Sequence, residues 1–97
     1  MMSDSEKSRA EGIAEAMGVV VGAAANCATV SEDRLNATVT RIGSLLSAAA
    51  SDAEDAEAAR QRFYAGFQAG KEAVTEGKVD ALAVETALTD LEESLPP

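Results

Sequence analysis

From Leu35 to Val74 the apolar positions fall at alternating steps of four and three: Leu35, Val39, Ile42, Leu46, Ala49, Ala53, Ala56, Arg60, Phe63, Phe67, Gly70 and Val74. All except Arg60 are apolar or glycine, and the residues between them are mainly Thr, Ser, Asp, Glu, Arg, Gln and Ala. Leu45 and Tyr64 are the large apolar residues off the seam. Such a stripe predicts amphipathic helix, with a repeat close to the 3.5 residues that lets a helix keep facing a partner.

A shorter stripe precedes it: Ala10, Ile13, Met17, Val20, Ala24 and Cys27. The first helix starts at Ser3 or Ser8, because Ser3 to Glu6 and Ser8 to Glu11 both have capping-box spacing. Beside this stripe Ala14, Gly18 and Gly22 lie four apart, an interval that lets a second helix backbone come close. Each glycine weakens the helix by about 1 kcal/mol relative to Ala, so tight packing is the expected compensation. A strand over Val19–Val21 is the competing local reading. The helix is expected to end between Asn26 and Val30, where Thr29 and Val30 are poor helix formers, and Ser31 to cap the next one.

Two architectures fit the middle of the chain. Ser51-Asp52-Ala53-Glu54 has capping-box spacing and could open a new helix, giving a four-helix up-and-down bundle. Yet no Gly, Pro or Asn lies between Ser44 and Ala65 to build a turn, and the stripe passes Ser51 in phase. The second architecture is one long central helix over about 31–76, with short helices folded back on it. Its stripe would span ~59 Å, against ~26 Å and ~21 Å for the stripes of the first and last helices. Gly77 is a natural C-terminal cap and Asp80 a natural N-cap for the last helix, whose stripe is Ala81, Val84, Leu88, Leu91 and Leu95 before Pro96 stops it. The fold class is therefore all-α, a bundle of three or four helices in a single domain over residues 1–97.

Charge narrows the partners. Seventeen acidic and eight basic residues give a net charge of −9, which repels phosphate backbones and anionic membranes and makes direct nucleic-acid binding unexpected. The uncharged run Ala16–Val30 falls short of the roughly 20 residues of a membrane span, and the acids Asp4, Glu6, Glu11 and Glu15 before it do not suit a secretory signal. The single Cys27 continues an apolar stripe and is expected buried and unpaired, in keeping with a reducing cytoplasm.

The chain contains no histidine, which removes Ser-His and Cys-His nucleophile pairs and the commonest metal ligand. Gly18/Gly22 and Gly66/Gly70 lack the spacing of a phosphate loop. Asp52, Glu54, Asp55 and Glu57 form the densest acid cluster, without the central glycine of a calcium loop. They read as a solvated helix face or as a contact for a basic partner. No catalytic residue, metal or cofactor is expected.

Phe63 and Phe67 are expected to anchor the core, since the chain has nothing else of that size. Tyr64 lies about 100° round the helix and shares a face with Gln68 and Lys71, the expected partner-binding group. Arg60 either snorkels outward or pairs with an acid across the interface.

The expected function is a non-catalytic protein-protein interaction module, an adaptor, small subunit or chaperone-like protein. It is expected to form a homo-oligomer through Leu35, Val39, Ile42, Leu46, Phe63, Phe67, Gly18 and Gly22, and to meet a protein partner, for which its acidity favours a basic one. The alternative is an acidic inhibitor or nucleic-acid mimic that occupies the basic groove of a target.

Overall fold

The computed structural model describes the backbone of residues 4–50 and 52–95, with side chains from residue 8 onward. Along the described residues the helices are α1 Asp4–Ala25, α2 Glu32–Ala49, α3 Ala53–Thr75 and α4 Ala81–Ser94. The expected caps at Ser3 and Ser51, and the stop at Pro96, lie outside the described residues.

Each junction has a local cause. The Ser31 hydroxyl accepts a hydrogen bond from the Arg34 amide at 3.2 Å and starts α2, with Glu32 and Asp33 in the first turn where the helix dipole favours acids. Asp80 starts α4 in the same way, accepting from the Ala83 amide at 2.8 Å. At the end of α3 the Gly77 amide donates to the Val74 carbonyl and the Lys78 amide to the Ala73 carbonyl, the two bonds of a Schellman turn. That turn places Gly77 at φ 73°, a region glycine adopts without strain.

The long central helix does not form. The chain breaks after Ala49, where Ala50 is extended, and resumes at Ala53, capped by the Asp52 carboxylate on the Asp55 amide at 2.9 Å. Ala50 and Asp52 have φ −72° and −157°, which any residue can adopt, so neither position needs glycine or proline.

The helices run up, down, up, down. Arg62 reaches back to Glu11 and Glu15, and Asn26 donates to the Lys71 carbonyl at 3.0 Å, so α1 and α3 run parallel. Residues 13–23 of α1 meet residues 94–83 of α4 in reverse order, so these two are antiparallel. Arg34 bonds Glu92 while Arg41 bonds the Leu95 carbonyl, so α2 and α4 run parallel.

The parallel pair α1 and α3 makes the closest contact. A Cβ added at Gly18 would fall on the Phe63 carbonyl and lie 2.9 Å from the Phe67 nitrogen; one added at Gly22 would lie 2.8 Å from the Phe67 Cα. From the other side, Gly66 and Gly70 abut the Glu15 and Val19 carbonyls. Four glycines thus let two helix backbones touch, with Cα hydrogens directed at carbonyl oxygens across the contact. The expected packing role of Gly18 and Gly22 is met inside one chain, and Val19–Val21 are helical.

Two clusters make up the core. Met17, Val21, Ile42 and Leu95 form one, with Leu35, Leu45, Leu46, Phe63, Phe67 and Leu91 packed around it. Ala23, Ala24, Cys27, Val84 and Leu88 form the other, against Val20, Val30, Leu35 and Val74. Phe63 and Phe67 are half-buried and sit at the edge of the core rather than at its centre. Backbone contact between α1 and α3 leaves no room for a ring between them, so both rings lie to one side.

Candidate interaction surface

α1 is bounded by all three other helices, and one arc of it is left in solvent. Ile13, at 51% exposure, departs from the expected buried stripe, whereas Met17, Ala24 and Cys27 on that stripe are buried and Val20 is half-buried. Ile13, Ala16, Val19 and Val20 on α1 face Ala83, Ala87 and Leu91 on α4, with Ala23 at the floor and Val79 at the upper end. Together they line a continuous apolar groove. Its upper half encloses about 120 Å³ and its wider lower half about 280 Å³. Asp90 and Ser94 are the polar residues at its lower end. The Asp90 side chain has no hydrogen bond or ion pair among the described residues; its carbonyl accepts the Ser94 hydroxyl at 2.9 Å.

On the opposite side of α4 lies a polar cluster. The Arg34 guanidinium holds the Glu92 carboxylate at 2.6 and 3.1 Å and donates to the Thr89 hydroxyl, while Arg41 donates to the Glu92 and Leu95 carbonyls at 2.9 and 2.8 Å. The hydrogen bond from Arg34 lowers the Glu92 pKa below the ordinary carboxylate value, with its charge and that of Arg41 acting in the same sense against partial burial. The same bond raises the Arg34 pKa. Arg41 also occupies the last carbonyls of α4, where a cation complements the helix dipole. Two arginines thus fix α4 to α2, and α4 in turn forms one wall of the apolar groove.

The residues expected to bind a partner occupy α3. Tyr64 is 63% exposed and its ring stacks on Phe67 at 6.3 Å between centroids. The Lys71 ammonium lies 5.6 Å over the same ring, so Tyr64 and Lys71 flank Phe67 on a shared face. Gln68 is exposed and lines a polar cleft with Asn26, Lys71, Glu72 and Thr75. Tyr64, Gln68 and Lys71 do share a face, although Lys71 and Tyr64 already have intramolecular ring contacts.

The acid cluster divides. Asp52 is the α3 cap, Glu54 and Asp55 stand in its first turn, and Glu57 pairs with Arg60 at 3.1 Å and accepts from Gln61. Arg60 is exposed and bonded within its own helix. Among the described residues no group of three or more Asp, Glu, His or Cys side chains is arranged to hold a metal ion.

Of the residues expected to form a self-association seam, Ile42 is buried while Leu35, Leu46, Phe63 and Phe67 are half-buried against the same core; Gly18 and Gly22 face α3. Val39 is exposed. The α1/α4 groove has no counterpart in the sequence reading. Its signal lay in the uncharged run from Ala16 together with Val79, Ala83 and Ala87, three apolar residues off the α4 stripe.

Among the described residues no helix is long and apolar enough to cross a membrane. No protein-family model matches this chain, and neither a curated protein nor a solved structure is similar enough to match it.

Proposed function

We propose that the chain is a non-catalytic helical module that binds a protein partner, as an adaptor, small subunit or chaperone-like component. The α1/α4 groove carries this reading. It is an open, continuous apolar surface on two antiparallel helices with polar residues at its lower end, a shape into which a partner helix docks. Self-association through the α2/α3 seam has less support, because most of that seam packs into the chain's own core.

Charge supports a basic partner. Arg34, Arg60, Arg62 and Lys78 are engaged by acids of the same chain, so the outward balance of a molecule with net charge −9 is negative. The same balance favours the second reading, an acidic inhibitor, whose binding would fall steeply with salt. The buried free thiol of Cys27 is in keeping with a reducing, cytoplasmic setting.

Site-specific photocrosslinking in cells that express the chain tests this. A photoreactive side chain at Ala83, on the groove, is expected to give a discrete protein adduct; one at Thr40, on the outer face of α2, is expected to give none. Equal adducts at both sites, or none at either, would refute the module reading.

A further inference from the structure

We infer that the α1/α4 groove takes one amphipathic helix of a partner protein, about three turns long, with small apolar residues on the buried face and a Lys or Arg set on Asp90. The inference rests on the interaction-module reading and names the occupant of its site.

The groove's dimensions select a single helix. Ile13 to Ala23 on α1 and Ala83 to Ser94 on α4 each cover ten or eleven residue steps, about 16 Å at 1.5 Å per residue. Two packed helices stand 8–10 Å apart, so the open face between them is on the order of 200 Å². A stable protein-protein interface needs roughly 800 Å² from each partner. Any partner that meets this groove alone buries about a quarter of that area and binds weakly, and three turns of one helix have a matching footprint.

The lining sets the size of the side chains that fit. Ala16, Ala83 and Ala87 form shallow walls with Val19 and Val20 between them, so a ridge of Ala, Val or Leu seats there and a ring does not.

Electrostatics selects the charge. Two copies would bring together two molecules of net charge −9, while a cationic helix is drawn in by the same field. At the groove, Asp90 supplies a carboxylate that nothing else among the described residues engages. Lys78, beside the upper end, is held by Glu76 at 2.7 Å, and Arg9, one turn before Ile13, lies outside the groove lining. The cation of the partner therefore belongs at the lower end of the groove, which also fixes the direction of the docked helix.

A displayed library of 14-residue amphipathic helices tests this. Its apolar face draws on Ala, Val, Leu, Ile and Met, and its flanks on Lys, Glu and Gln. Selection uses the full chain, and the winners are rebound to A16Q, A83Q and D90N. Gln at the exposed positions 16 and 83 fills the groove without changing charge, and circular dichroism confirms that the variants remain folded.

The expected winners carry Lys on one flank, bind with micromolar or weaker affinity, lose at least tenfold on A16Q and A83Q, and lose about two- to fivefold on D90N at low salt. Winners that lose binding on A16Q and A83Q but carry Glu or no preferred flank would overturn the charged-helix inference and leave the docking groove standing. Winners indifferent to A16Q and A83Q would overturn both. A dimer in light scattering that A16Q or A83Q dissociates would make a second copy the occupant and overturn the inference.

Discussion

Replacing Gly22 by alanine puts one methyl group into the α1/α3 contact. The new Cβ would lie 2.7 Å from the Phe67 carbonyl carbon and 2.8 Å from its Cα, about 1 Å inside ordinary van der Waals contact. Everything it meets is backbone, so no side chain can swing away and the helices must separate. Overpacking of this kind costs about 1–3 kcal/mol, and the upper part applies because Gly18, Gly66 and Gly70 lose contact in the same movement. Alanine returns up to about 1 kcal/mol of helix propensity. The net loss is about 2 kcal/mol, a fall in Tm of roughly 8–16 °C for a domain of this size. Gly43→Ala is the matched control, since it adds the same methyl to a helix position with nothing within 4 Å. It should gain about 0.5–1 kcal/mol. Thermal and urea unfolding followed by far-UV circular dichroism read both variants. If Gly22→Ala is as stable as Gly43→Ala, the two backbones do not touch and the reasoning fails. The double variant with Gly70→Ala should lose less than the sum of the single losses, because both methyls separate the same helices.

Two further outcomes follow from the caps and the ion pair. Glu92→Gln removes the charge held by Arg34 and should cost about 1 kcal/mol at neutral pH; because the folded pKa of Glu92 lies below its unfolded value, this stability is present above the ordinary carboxylate pKa and lost as pH falls through the folded one, so urea midpoints of wild type and variant should converge in acid. Gly77→Ala forces a side chain into φ 73° and should cost about 1 kcal/mol or more in the same assay, whereas a gain would mean the Schellman turn is absent.

Helix existence was legible because it rests on local signals. The stripe of α2 and α3, the hydroxyl of Ser31, the carboxylate of Asp80 and the glycine at 77 each act within one turn, and each appears where the residue pattern puts it. The small-residue spacing of Gly18/Gly22 and Gly66/Gly70 was legible as tight packing too, although nothing in the spacing shows that the two strips face each other. The break between α2 and α3 was ambiguous for a physical reason: Ala50 and Asp52 are extended, a conformation that carries no glycine or proline signature. Thr38 and Ile13 show the limit of the stripe argument. Thr38 lies off the seam yet is 1% exposed, its hydroxyl donating to the Arg34 carbonyl at 3.0 Å. Ile13 lies on its stripe yet is 51% exposed, at the open lower end of the groove beside Ser94. The candidate groove depends on which helices become neighbours, and pairing is a tertiary choice that periodicity along one helix does not encode.

The α1/α3 contact and the α1/α4 groove have one origin. A helix in an up-and-down bundle normally has two close neighbours and turns a polar arc to water. Backbone contact through four glycines gives α1 a third neighbour, and a helix contacted on three sides needs apolar residues nearly all round; hence no charge between Glu15 and the end of α1. What stays uncovered is then apolar as well. α2 and α3 turn more polar faces outward, with Glu32, Asp33, Asn36 and Thr40 beside Val39 on one and Glu54, Gln61, Gln68 and Glu72 beside Tyr64 on the other. α1 offers Ile13, Ala16 and Val19, beside Ala83 of α4. Ala16 and Ala83 stand in solvent, so the fold gains little from their being apolar, and a polar residue at either would cost within about 0.5 kcal/mol. Central packing explains Met17 and Val21, which are buried. Helix propensity accounts for alanine at the exposed positions 16 and 83, which leaves Val19, at 38% exposure, as the residue that the proposed partner helix would cover.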